Sequence, residues 1–174
     1  MTGIDIRAAV PQDIAAITRI YAEAVRHGTA TFELEPPDAV EMARRFAALH
    51  AGGFPFLVAE TAGAVAGYAY AGEYRSRPAY RWTLEDSIYV ATDRQRRGIG
   101  RALIERLVRE AERRGFRQMI AVIGDSQQHA SIALHAAAGF QMVGTHTAVG
   151  FKFDRWLDTV LMQRALGAGA SGKP

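Results

Sequence analysis

The 174-residue chain has no cysteine, two lysines among its 21 basic residues, and no apolar run approaching the length of a membrane helix. The missing cysteine excludes a disulfide framework, a thiolate metal site and a covalent cysteine mechanism together, and no metal is expected. The N-terminus lacks the basic-then-apolar pattern of a secretion signal, so a cytoplasmic protein without a membrane partner is expected. A one-sided basic stripe with interleaved aromatics is also missing. The formal charge of +3 and pI near 9.5 come from arginines mixed with acids. This pattern excludes a nucleic-acid partner.

What is present is a globular composition, 49% hydrophobic, long enough for one domain with a real core. Residues 1–166 read as that domain and the Gly- and Ala-rich 167–174 as a flexible tail. Ile4–Arg7 reads as a strand. Pro11-Gln12-Asp13 opens a helix with apolar positions at Ile14, Ile17, Tyr21, Ala24 and Val25. Asp38 with Glu41 forms a capping-box-like start to a helix through Leu49. Two strands, 56–60 and 65–70, are separated by a glycine turn that predicts an antiparallel hairpin. An arginine-rich loop, 74–82, leads to a strand over Thr83–Val90, and a helix is predicted from Arg101. A strand at 118–123, a helix at 130–138 and later strands at 140–145 and 159–164 complete the chain. The strand–loop–helix–strand piece at 87–123 is a parallel crossover, so the sheet should be mixed in an α/β (α+β) fold.

Gln95-Arg96-Arg97-Gly98-Ile99-Gly100 lies between strand and helix, where glycines let an anionic group reach the unpaired amides of a helix N-terminus. A nucleotide P-loop would need Lys-Ser or Lys-Thr after the second glycine, but Arg101-Ala102 stand there. A dinucleotide fingerprint would need a third glycine, and that position is Leu103.

The remaining pattern, Gln/Arg-x-x-Gly-x-Gly/Ala, resembles the acetyl-CoA pyrophosphate loop of the GCN5-related N-acetyltransferases (GNAT). Downstream, Gln128-His129-Ala130-Ser131-Ile132-Ala133-Leu134-His135, followed by Gly139-Phe140, is similar to that superfamily's second motif, with Gln128 at the usual Asn position and His135 at the usual Tyr. Ala79–Val90, His135 and Gly150–Asp158 resemble the branch that acetylates phosphinothricin and methionine sulfoximine or sulfone. The resemblance covers residues 4–166 and implies a single-domain GNAT-like fold with a mixed, mostly antiparallel, twisted sheet flanked by helices. It also implies acetyl-CoA as co-substrate, a small amino acid analogue as acceptor and a homodimer formed through 146–160, where Phe151, Phe153 and Trp156 need cover.

Attack on a thioester requires a neutral amine and hence a base. Strand alternation puts Glu85, Ser87 and Tyr89 on one face, opposite Leu84, Ile88 and Val90. Glu85 is the expected base, acting through a water. Asp86 breaks the alternation, which implies a bulge near 86–88 or a later strand start. His135 is either a proton relay, an acid for the departing thiolate, or structural. The resemblance assigns the backbone of Ile88, Tyr89 and Val90 to the pantetheine arm, with Gln128 and Ser131 beside it. Gln95, Arg96, Arg97, Gly98, Ile99, Gly100 and Arg101 are assigned to the pyrophosphate. Arg75 and Arg77 are candidate carboxylate clamps, because guanidinium donors match a carboxylate in two-pronged geometry. Ser76, Glu85, Asp86 and Ser87 complete the acceptor contacts, and Phe32 and Tyr70 either shape the pocket or belong to the core. The rival readings are acetylation of a polyamine, an aminoglycoside or a protein N-terminus, and a non-catalytic acyl-CoA-binding domain.

Overall fold

The computed structural model describes residues 3–174. Seven strands form one open sheet: β1 (Asp5–Ala8), β2 (Phe56–Thr61), β3 (Ala64–Glu73), β4 (Thr83–Val90), β5 (Gln118–Gly124), β6 (Gln141–Lys152) and β7 (Arg155–Ala165). Their spatial order is β1-β2-β3-β4-β5-β7-β6, antiparallel throughout except for β4 beside β5. The helices are α1 (Ile14–His27), α2 (Ala39–Ala51), α3 (Ile99–Arg113) and α4 (His129–Ala137). The β4–α3–β5 unit is the expected parallel crossover, which needs a helix to carry the chain back across the sheet.

Each sheet face is covered because its helices carry one apolar stripe. Ile14, Ile17, Tyr21 and Val25 of α1 pack with Met42 and Phe46 of α2 against Phe56, Val58 and Tyr68. On the other face Leu103, Ile104, Leu107 and Ala111 of α3 pack on Leu57, Ala69, Leu84 and Met119. Leu107 is fully buried; truncating such a leucine to alanine costs about 2–5 kcal/mol. Asp38 caps α2 by accepting from the Glu41 amide at 2.8 Å, while the Glu41 carboxylate, expected to complete a capping box, is instead held by Arg44 and Arg45.

Several boundaries differ from expectation. β1 begins at Asp5 rather than Ile4, and α3 begins at Ile99 rather than Arg101, because buried Ile99 already belongs to the helix's core stripe. The two late strands are far longer than predicted. They form one hairpin, whose outer strand β6 is almost wholly exposed and therefore has no inside–outside alternation to read. The tail at 167–174 carries turns, and Arg117 donates to Ser171 O at 2.9 Å.

The bulge expected at 86–88 is not there. β3 and β4 stay in unbroken register from Gly67–Val90 to Glu73–Leu84. The sheet opens on its other side: β4 pairs with β5 only from Thr83–Gln118 to Asp86–Ala121, although both strands continue. Asp86 keeps its place on the inner face because it has a partner there, described below.

Candidate active site

The opening between β4 and β5 makes a cleft lined by Asp86, Ser87, Ile88, Tyr89, Ala121, Ser131 and His135, with Ala30 at its rim. Asp86 and His135 are both buried, and His135 Nε2 lies 3.0 Å from Asp86 Oδ2. His135 Nδ1 lies 2.8 Å from Ser131 O. A carbonyl only accepts, so Nδ1 carries a proton. Burial disfavours the imidazolium, but the bond to Asp86, that carboxylate's charge and the Ser131 carbonyl outweigh it and raise the His135 pKa. Asp86 Oδ1 is buried without a hydrogen-bond partner.

Glu85, next in the strand, is half-buried on the opposite face. Burial and then the charge of Asp86 raise its pKa above the ordinary carboxylate value. Across the sheet Glu85 faces Gly72, and Ser87 faces Tyr70. Burial likewise raises the Tyr70 hydroxyl. Tyr89 inserts its ring edge-on to Tyr21 with centroids 5.0 Å apart, so its side chain is a core element.

β4 runs on from the cleft into the loop that leads to α3. Gly98 takes φ 82°, a left-handed conformation that disfavours any side chain, and caps α3 without a side-chain bond. The first helical bond runs from Ala102 N–H to Gly98 O, leaving the preceding amides without helical partners. A Cβ on Gly100 would lie 3.2 Å from Leu134 Cδ2, so glycine permits α3 and α4 to approach. Arg96 and Arg97 are exposed, Arg101 is paired to Glu105 at 2.8 Å, and the Gln95 amide reaches back to Val90 O at 3.5 Å. These features form a cradle of free backbone donors in a basic setting, suited to a pyrophosphate.

The matching family pattern is that of an acetyltransferase (GNAT) domain, over residues 6–161. The chain belongs to the GNAT family. It is an acetyltransferase, 52% identical over 169 residues to the phosphinothricin N-acetyltransferase of Alcaligenes faecalis, covering 97% of this chain and 86% of that protein. It is 42% identical over 166 residues to the L-methionine sulfoximine/L-methionine sulfone acetyltransferase of Salmonella typhimurium, covering 95% and 96%. The crystal structure of a phosphinothricin acetyltransferase from Sinorhizobium meliloti in complex with acetyl-CoA superposes with a TM-score of 0.96 at 50% identity, over 100% of this chain and 94% of that one.

Within this GNAT acetyltransferase the sequence-predicted residues divide into groups. Asp86, Ser87, Ile88, Tyr89, Ser131 and His135 meet at the cleft, and Glu85 and Val90 continue the same strand. Arg75, Ser76 and Arg77 lie in the exposed loop beyond β3, where the Arg75 guanidinium sits over the Tyr74 ring at 5.1 Å and the Tyr80 ring at 5.7 Å. The Gln128 side-chain nitrogen is engaged by Thr29 Oγ1 at 3.0 Å. Phe32 packs its ring against the backbone of Gly124 and Gly150.

Sequence reasoning missed the fastening of the segment that follows α1, residues 28–32. Buried Lys152 donates to Gly28 O at 2.8 Å and Thr31 O at 2.9 Å. Asp125, at φ 69°, accepts from Thr29 Oγ1 at 2.9 Å and from Arg155 at 2.6 Å. A single lysine between two phenylalanines in a chain so poor in lysine was the available signal.

Proposed function

We propose that the protein transfers acetyl from acetyl-CoA directly to the α-amine of a small amino acid analogue of the L-phosphinothricin, L-methionine sulfoximine or L-methionine sulfone type. The observation that carries this reading is Glu85. It is a half-buried carboxylate with raised proton affinity, placed one residue before β4 parts from β5. A base there takes the proton of an incoming ammonium, directly or through a water. The named relatives supply the acceptor class.

The residues present fit acetyl-CoA. The Gly98–Arg101 amides suit its pyrophosphate, and the unpaired edge of β4 from Ile88 to Val90 suits the amides of its pantetheine arm. When bound, it supplies an activated thioester carbonyl. Arg75 and Arg77 offer guanidinium donors to the acceptor's carboxylate, with Arg75 steadied by its two aromatic neighbours. Tyr70 and Ser87 border the amine on the Glu85 face, and Phe32 forms the wall towards β6.

The same reading takes the protein to be a cytoplasmic homodimer that gives resistance to such analogues. Phe151, Phe153 and Trp156 are exposed at 53%, 52% and 65%, a patch suited to a second copy. The test is CoA thiol release with L-methionine sulfoximine, L-phosphinothricin, spermidine or no acceptor. Saturable release only with the amino acid analogues is expected. Release equal to the no-acceptor control for every compound would overturn the reading.

A further inference from the structure

Three observations single out Asp86. It stands at the last residue pair joining β4 to β5, where the cleft begins. One of its oxygens holds His135 at 3.0 Å, while the other is buried without a partner in the wall of that cleft. The His135 ring is fixed from its far side by Ser131 O and packed edge-on against Phe140, with centroids 5.1 Å apart.

These contacts restrict the proton states. Nδ1 always donates to the Ser131 carbonyl, so one further proton remains, between Nε2 and Asp86 Oδ2. With it the pair is a neutral unit, either imidazolium with carboxylate or imidazole with carboxylic acid. Without it a carboxylate is left buried beside a neutral ring, which is costly. Neither ring nitrogen is free to act alone.

We propose that Asp86 is a positioning residue for His135, and that the two share the proton given to the sulfur end of the cleft, so the pair rather than the histidine is the acid. This rests on the acetyl-transfer reading. Glu85, having passed the ammonium's first proton to solvent, takes a second from nitrogen as the C–N bond forms. The pair gives its shared proton to the sulfur as the C–S bond breaks, leaving carboxylate beside neutral imidazole. Solvent then returns a proton to the pair and removes one from Glu85.

The surroundings suit such a proton store. Ala69 and Ala71 of β3, Leu103 and Leu107 of α3, and Ala121 and Ile123 of β5 belong to one apolar cluster, and Ala121 and Ile123 also line the cleft. The neighbouring carboxylate in the strand is Glu85, on the other face, whose own pKa is raised by burial and then by the charge of Asp86. On α4, His129 lies exposed at the helix start.

The test compares wild type, Asp86→Asn and Asp86→Glu, each checked by thermal melting. ¹⁵N NMR of His135 in the ligand-free protein is expected to show an imidazolium persisting above the ordinary histidine value of about 6.5. In Asp86→Asn the amide donates to Nε2, so the ring becomes neutral and titrates below that value. The variant's kcat is expected to fall about tenfold or more. Its alkaline limb should move to lower pH while KM for acetyl-CoA holds, and Asp86→Glu should restore part of both. An unchanged His135 titration in folded Asp86→Asn would overturn the proposal, as would an altered titration with unchanged kcat and pH profile. If Asp86→Asn does not fold, a normal kcat and alkaline limb in Asp86→Glu with a displaced His135 titration would overturn it. The NMR result stands whether or not any acceptor is acetylated, so failure of the functional reading is seen separately, as missing product with wild type.

Discussion

Glu85 and Asp86 are consecutive in β4, yet they serve opposite faces of the sheet. Glu85 points to the side covered by α1 and α2, and Asp86 is buried against His135 of α4. One strand thus places two carboxylates on opposite faces of the sheet, with different partners.

Glu85→Gln removes the base but keeps the shape. A fall in kcat of about 10²- to 10⁴-fold with little change in KM is expected, measured by CoA release. Because burial and Asp86 raise the Glu85 pKa, wild-type activity should rise with pH through a limb above the ordinary carboxylate range. The folded state there binds more protons than the unfolded state. The contribution of Glu85 to stability is therefore greatest below the ordinary value and is lost as pH rises through the raised one. The glutamine variant escapes this loss and should melt higher than wild type at neutral pH.

The phosphate cradle depends on backbone geometry. Gly98→Ala forces a side chain into φ 82°, costing about 1–2 kcal/mol. Gly100→Val presses on Leu134, whose Cδ2 already lies 3.2 Å from an added Cβ. Both should raise KM for acetyl-CoA more than KM for the acceptor, in initial-rate measurements varying one substrate at a time.

Lys152→Met removes both donors that hold the Gly28 and Thr31 carbonyls. Leaving buried acceptors unpaired costs about 1–3 kcal/mol, read as a lower Tm. The loosened loop should raise KM for the acceptor while KM for acetyl-CoA changes little.

Replacing Trp156 and Phe151 together with serine removes the largest exposed apolar pair, whose rings meet at 5.3 Å. Light scattering is expected to report a dimer for wild type and a monomer for the double variant.

Local rules made the first two-thirds of the chain legible. The α1 and α3 stripes, the Asp38 cap, the hairpin at β2–β3 and the β4–α3–β5 crossover each follow from periodicity or a turn residue a few positions away. The β6–β7 hairpin did not, because an exposed edge strand has no buried face to impose period two. Asp86 signalled a disturbance in the strand, but a bulge and a buried partner leave the same mark in the sequence. Only the fold brings His135 within 3.0 Å of it, across 49 residues. Lys152 stood out between two phenylalanines, but its carbonyl partners, more than 120 positions away, could not be read from the sequence.

The most direct measurement follows isotopically labelled acetyl from acetyl-CoA in the presence of L-methionine sulfoximine, with wild type and Glu85→Gln side by side. The account predicts that label appears on the α-nitrogen of the acceptor, that none is retained on the protein when the acceptor is withheld, and that the variant slows its appearance at least a hundredfold, the low end of the roughly 10²- to 10⁴-fold contribution of a positioned base. Label bound covalently to the protein, or product formed equally fast by Glu85→Gln, would contradict it.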